Sequence, residues 1–188
     1  MTDWIGVYAA IIGTISFALT IYFKHIPNKL DLELDKSQAD NYGDAVITNQ
    51  PQTPKGRFFH VGVVDKHGRK TARNCKAYIT SLKEEATGKE LLTQELPLKW
   101  RGYQTNLPSI DIPPNKAEKF DAFFVLHNAP DRILMQAFVD STAILPNAKG
   151  NKKLRAKYRI TADGFKAKEK EFIITLSSQL SDVKIEAL

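Results

Sequence analysis

Residues 4–23 contain no ionisable side chain other than tyrosine, and Ile, Ala, Val, Leu and Phe dominate them. Twenty residues at about 1.5 Å per residue cover the roughly 30 Å hydrocarbon core of a bilayer. Trp4 and Tyr22 lie near the two ends, where amphipathic rings prefer the water–lipid interface. The stretch therefore predicts one N-terminal transmembrane helix, with residues 1–24 as the anchor. A cleaved signal peptide competes with this reading. It needs a basic leading region and a small-x-small cleavage site. Here Asp3 precedes the apolar run, and the run ends in Ile21-Tyr22-Phe23-Lys24-His25. A buried core helix is the other alternative.

Flanking charge gives the anchor a direction. Lys24, Lys29 and His25 follow it, and only Asp3 precedes it. The positive-inside rule then predicts a single-pass protein of the cell membrane with its C-terminal domain in the cytoplasm. The single cysteine, Cys75, rules out an intrachain disulfide and agrees with a reducing compartment. Gly6, Ala10, Thr14 and Ala18 recur every four residues and so share one helix face. Small residues in such a row let helix backbones approach closely, which makes this the candidate packing face for a homo-oligomer or another membrane helix. Such rows also occur in membrane helices that pair with nothing.

Beyond the anchor the period changes from helical to two. Leu30-Asp31-Leu32-Glu33-Leu34-Asp35 alternates apolar and acidic, which is the pattern of a half-buried strand. A polar run over residues 36–56 follows, with Ala45-Val46-Ile47 as a possible short edge strand. It separates this first strand from the main domain and suggests a tether about twenty polar residues long. Strand signals then recur from residue 57. The run 58–64 is closed by the turn-like Asp65-Lys66-His67-Gly68. Cys75, Ala77 and Ile79 alternate with polar neighbours. Pro97 demotes residues 91–100 to an edge or bulged strand. Ile110 and Ile112 stop at Pro113-Pro114-Asn115-Lys116, and apolar runs at 120–126 and 133–139 come next. Residues 140–153 read as a loop. Leu154, Ala156, Tyr158, Ile160 and Ala162 then face Phe172, Ile174 and Leu176 across an Asp163-Gly164 turn, a strong hairpin signal. A helical period reappears only in the tail from Ser178. The fold class expected is all-β: an antiparallel β-sandwich of seven to eight strands, immunoglobulin-like, preceded by the one transmembrane helix. The divisions are the anchor 1–24, a first strand and polar linker 25–56, the sandwich 57–178 and a tail 179–188.

The segment from Phe59-His60-Val61-Gly62-Val63-Val64 through Asp65-Lys66-His67-Gly68 to Asn74-Cys75-Lys76-Ala77-Tyr78 resembles the second and third strands of prokaryotic immunoglobulin-like domains of the CARDB-like kind. In these, an apolar strand runs into an Asn/Asp-x-x-Gly turn and a small residue opens the next strand. Trp100, Ile110-Asp111-Ile112-Pro113-Pro114 and Phe120-Asp121 are similar to the middle of membrane-anchored proteins of this kind. The likeness spans roughly residues 57–126. It implies a fold and no activity.

Motifs that carry chemistry are sparse. His25, His60, His67 and His127 are far apart in sequence, and no cysteine pair exists, so neither a metal site nor a cofactor is expected. His60 and His127 read as hydrogen-bonded histidines on a sheet face, and a catalytic role would require one of them to meet a carboxylate in a pocket. Cys75 reads as buried and inert, and Trp100 as a core or edge anchor. The chain carries a net charge of +6. Its one suggestive constellation is basic: Lys149, Lys152 and Lys153 lead into Arg155, Lys157 and Arg159, with Lys166, Lys168 and Lys170 across the turn. Strand parity would place Glu169 and Glu171 on the opposite face. Lys152, Lys153, Arg155, Lys157 and Arg159 are therefore the candidate contacts to a polyanion, either anionic lipid or nucleic acid. Nucleic acid is the weaker of these, because the face offers no aromatic stacking platform. The alternative is a solvated strand whose lysines discourage edge pairing. The function expected is a non-enzymatic interaction module, held at a membrane, that presents a sandwich to a protein partner.

Overall fold

The computed structural model describes residues 4–25, 30–34, 56–65, 70–101, 108–136 and 142–188. Within these, α1 (Trp4–His25) is followed by eleven strands. They are β1 (Leu30–Leu34), β2 (Gly56–Asp65), β3 (Ala72–Glu84), β4 (Leu96–Pro97), β5 (Ile110–Ile112), β6 (Ala117–Leu126), β7 (Ala129–Gln136), β8 (Thr142–Lys149), β9 (Lys152–Asp163), β10 (Lys168–Leu176) and β11 (Lys184–Ala187). One sheet runs β1-β2-β6-β7-β8. The other runs β11-β10-β9-β3-β4, with β5 also paired to β3. Every pairing is antiparallel. The all-β, two-sheet sandwich is thus what the chain forms, with more strands than the seven or eight expected.

Alternation decides which faces are buried. Leu154, Ala156, Tyr158 and Ile160 on β9 and Phe172, Ile174 and Leu176 on β10 all lie in the core, and Gly164 takes φ +72 in the turn between the two strands. On β3 the buried set is Ala72, Cys75, Ala77, Ile79 and Leu82, which breaks strict alternation twice. Both breaks coincide with register shifts against β9, between Arg73 and Lys76 and between Ile79 and Ser81. Each bulge adds one residue and returns the apolar side chains to the same face. Asn74 occupies the first bulge with φ 52, a conformation that asparagine tolerates better than most residues. A bulge on β6 does the same work: Phe120 before it, Ala122 within it, and Phe123 and Val125 after it all reach the core.

The two sheets meet through aromatic rings. Trp100 packs edge-on against Phe120 at 6.0 Å, Phe120 lies 5.7 Å from Tyr158, and Tyr158 lies 5.6 Å from Phe172. Trp100, expected as a core or edge anchor, is buried and bridges to β6 opposite Phe120. In the first sheet β6, β7 and β8 run outward from β2 in chain order, while the second sheet places β9 between β3 and β10.

Several expectations change. Residues 140–153, read as a loop, contain β8. Its Pro146 is tolerated because no strand lies beyond β8 among the described residues and Pro146 falls in the register irregularity between Ile144 and Lys149. The tail holds a 3-10 turn, Leu180–Asp182, and then β11, which extends the second sheet. The first strand is no outlying piece either: β1 pairs with β2 along its whole length. The sandwich therefore begins four residues after α1, and the twenty-residue tether is overturned. Pro97 does sit on an edge strand, as expected. Ala45-Val46-Ile47 and most of the Asp65–Gly68 turn lie outside the described residues. Among those described, no helix is long and apolar enough to cross a membrane. The side chains described in α1 are those of Tyr8 and residues 10–21, and a run of that length rises only about 18 Å. The structure shows an N-terminal helix of 22 residues where the sequence led to a transmembrane one.

Phe120 sits at the centre of the ring contacts and is fully buried. Phe120→Ala is expected to cost about 3–5 kcal/mol in a urea titration, the range for removing a core phenylalanine.

Candidate functional site

The outward face of β3, β9 and β10 carries most of the predicted basic residues. Because Phe172 pairs with Ala156 and both point inward, the residues alternating with them point outward together. Arg155, Lys157 and Arg159 share that face with Lys153. Glu169 lies opposite Arg159 and Glu171 opposite Lys157, so both carboxylates stand on the basic face and not on the other side as expected. The parity argument failed because it counted alternation within β10 without its register to β9. Lys168 and Lys170 take the inward parity instead and reach to β1. Nζ of Lys170 donates to the carbonyl of Leu32 at 3.0 Å, and Nζ of Lys168 is 3.9 Å from Asp31.

The result is a lattice of ion pairs. Arg155 forks onto Glu85, with Nε and Nη2 donating at 2.9 and 2.7 Å, and also reaches Glu171 at 3.4 Å. Lys157 pairs with Glu171 at 3.2 Å. Arg159 pairs with Glu95 and lies over the ring of Tyr78 at 5.3 Å. Lys152, at the start of β9 and of inward parity, pairs with Glu84 at 3.0 Å. Of the five predicted polyanion contacts, Lys153 alone forms no direct ion pair among the described residues, although its charge helps to hold the Glu85 carboxyl down. The side chain of Lys149 lies outside the described residues. Ser81, Lys83, Glu85, Arg155, Lys157 and Glu171 line a shallow groove on the outward face of the sheet, which runs from mid-β9 to the turn at Gly88.

Glu85 is held below the usual carboxylate range by its bond to Arg155, and Glu84 by Thr87 first and Lys152 second. Arg155 is shifted upward by the same pairing with Glu85. A lowered carboxyl pKa means that the pairs are formed at neutral pH and are lost only as pH falls through the depressed folded values. Exposed pairs of this kind contribute little to stability, but they do set the charge pattern a partner meets.

The histidine question has an answer in geometry. Nδ1 of His60 is 3.0 Å from Oδ1 of Asp121, and both residues are buried on the first sheet, where Phe58 stacks against His60. The contact is close without being aligned as a hydrogen bond. Neither residue lines a described groove, and no cluster of three His, Cys, Asp or Glu side chains suited to a metal occurs among the described residues. His127 is exposed in the β6–β7 turn. Sequence spacing could not reveal the pair, because His60 and Asp121 come together only through the β2–β6 register. Cys75 is fully buried and its Sγ donates to the carbonyl of Ala72; burial pushes its thiol up to about 12.

On α1, Ala10, Thr14 and Ala18 are exposed in a row, with Gly6 one turn earlier on the same face. The hydroxyl of Thr14 donates to the carbonyl of Ala10, and that of Thr20 to the carbonyl of Ser16, both at 2.8 Å. Tyr8, Ile11, Ile12, Ile15, Phe17, Leu19 and Ile21 are 42–67% exposed.

No family model, curated protein or solved structure matches this chain.

Two outcomes are expected. A thiol reagent at pH 8 should label Cys75 in urea and leave the folded protein unlabelled. Glu85→Gln combined with Glu171→Gln should release Arg155 and Lys157, and so raise the salt needed to elute the protein from heparin. The thermal transition should stay nearly unchanged, because exposed ion pairs add little to stability.

Proposed function

We propose that this chain is a single-pass, membrane-tethered module without catalytic activity, which presents its β-sandwich to a protein partner on the cytoplasmic side. The observation that carries the reading is the state of α1. Its described apolar side chains cover the helix all round, and every one of them faces outward instead of packing on the sandwich. A helix apolar on all sides needs a non-aqueous surrounding. The described stretch is too short to cross alone, but the uncharged sequence extends over residues 4–23. The two threonine hydroxyls bonded within the helix suit that surrounding, because they leave fewer donors to desolvate. Lys24 and Lys29 support the cytoplasmic side. The exposed row Ala10, Thr14 and Ala18, continued by Gly6, suits pairing with a second helix.

The character of the partner follows from the paired charges. A polyanion favours a surface of one sign, whereas the face around Arg155 alternates Arg and Lys with Glu. A mixed face is better matched by the mixed charges of a protein surface. The resemblance of residues 57–126 to immunoglobulin-like domains enters this proposal as a fold reading only.

Extraction of membranes with alkaline carbonate tests the tether. The full chain should stay in the pellet, and a variant carrying Ile12→Arg and Ile15→Arg should move to the supernatant. Each arginine adds about 2.5–3.5 kcal/mol to insertion near the helix centre. Recovery of the unaltered chain in the supernatant would overturn the proposal.

A further inference from the structure

The outward face of β3, β9, β10 and β11 is built in level rows, because the three registers carry each row from strand to strand. Tyr78, Arg159 and Glu169 form one row. Ser81, Lys157 and Glu171 form the next, and Leu188 joins it by donating its backbone N–H to the carbonyl of Glu171. Lys83, Arg155, Ile173 and Glu186 form a third. Along the strands the same face is striped by charge. β9 presents Lys153, Arg155, Lys157 and Arg159, whereas β10 presents Glu169 and Glu171. β11 adds Glu186, with Lys184 paired to it.

Two groups of this face are unengaged within the chain. Glu169 is exposed and forms no ion pair among the described residues. Leu188 is 62% exposed, and outside α1 no other large apolar side chain among the described residues is exposed. Ala187 pairs with the buried Phe172, so Leu188 takes the outward parity. The groove beside Ser81, Lys83, Arg155 and Lys157 has a volume of about 340 Å³ and crosses the same rows.

A half-turn about an axis between β9 and β10, parallel to both, sets β9 against β10 of a second copy and β3 against its β11. Lys157 then meets Glu171 of the second copy, Arg159 meets its Glu169, and Lys83 meets its Glu186. Its Leu188 enters the groove beside Ser81. An axis in front of β9 would set that strand's cations on themselves, and one between β3 and β9 would set Lys83 on Arg155. The charges therefore select one axis. Glutamates of β10, β11 and the β3–β4 connection nearly balance the cations of the face, so a second copy meets little net like charge. Four strands and the nine residues of β10 span about 19 by 30 Å, or about 1,100 Å² over two copies before side-chain relief is counted. That is the low end for a specific contact. Anchoring both copies in one bilayer raises their effective concentration.

Resting on the membrane-tethered reading, we propose that the protein partner of this domain is a second copy of the chain, docked through the outward face of β3, β9, β10 and β11 about that axis. Both heads stand on one side of the bilayer. An axis parallel to the strands keeps their Leu30 ends level, which suits two connections of only four residues.

The test uses the full chain in liposomes, with one cysteine added at Ile173→Cys on this face or at Arg132→Cys on the outside of the other sheet. Cys75 is buried and does not compete. A bismaleimide that bridges about 10 Å, the spacing of packed sheets, should join two copies at 173 and not at 132. With Ile173→Cys present, Lys157→Glu with Arg159→Glu, or Glu169→Lys with Glu171→Lys, should each lower the yield by more than about tenfold. Mixing these two variants in one liposome should restore it, because one copy is then acidic over both strands and the other basic. Leu188→Asp should weaken the cross-link as well. Equal yields at 132 and 173, indifference to the reversals, or no recovery in the mixture would overturn the inference while the tether stood. No cross-link at 173 in the otherwise unaltered chain would leave the face to a partner of different sequence and overturn it too. If the unaltered chain fails to float with the liposomes, the membrane-tethered reading falls, and this inference falls with it.

Discussion

The contact between the two sheets is carried by rings. Phe120 comes from one sheet, Tyr158 and Phe172 come from the other, and Trp100 caps the series from the chain leading out of β4. Burial of such side chains is the largest apolar contribution a domain of this size can draw on, and their edge-on geometry adds to it. The Tyr158 hydroxyl, 3.4 Å from the carbonyl of Ala122, gives that ring a polar partner inside the core at the β6 bulge. With a single cysteine in the sequence, no intrachain disulfide holds the sheets together. The bulges on β3 and β6 serve this packing, because they let strands with imperfect alternation still deliver their apolar side chains to one side.

The sequence was most legible where chemistry is local. Alternation along β9 and β10 and the Asp163-Gly164 turn between them specify a hairpin with no outside information, and the two strands are paired from Lys152 and Leu176 to Ile160 and Lys168. Pro97 marked an edge for an equally local reason. Legibility ended where an element depends on a distant neighbour. β8 contains Pro146 and lies among Gly, Asn and Lys, so its composition resembles a loop; pairing to β7 makes it a strand. β11 is four residues long and depends on β10 in the same way. The register of β10 against β9 moved Glu169 and Glu171 onto the basic face, and no count along one strand could have shown that.

The same limit governs the charges. Sequence counts give an excess of lysine and arginine and cannot say which of them are matched. The three-dimensional arrangement supplies the answer: Arg155, Lys157 and Arg159 are matched by glutamates from β10 and from the chain between β3 and β4. A basic residue in a run is therefore a poor guide to a basic surface. His60 and Asp121 illustrate the converse. Two residues 61 positions apart come within 3.0 Å of each other, and no motif announces it.

A connection of four residues between a helix and a sheet strand also has a mechanical consequence. A long flexible leash lets a head group tumble independently of its anchor. A short one, sewn at once into a sheet by the β1–β2 ladder and by Lys170 on the carbonyl of Leu32, behaves as a coupling between shaft and head. In a bilayer, axial rotation or tilt of such a shaft would be passed to the sandwich with little slack. Two shafts brought side by side would in turn bring their heads into a restricted set of mutual orientations.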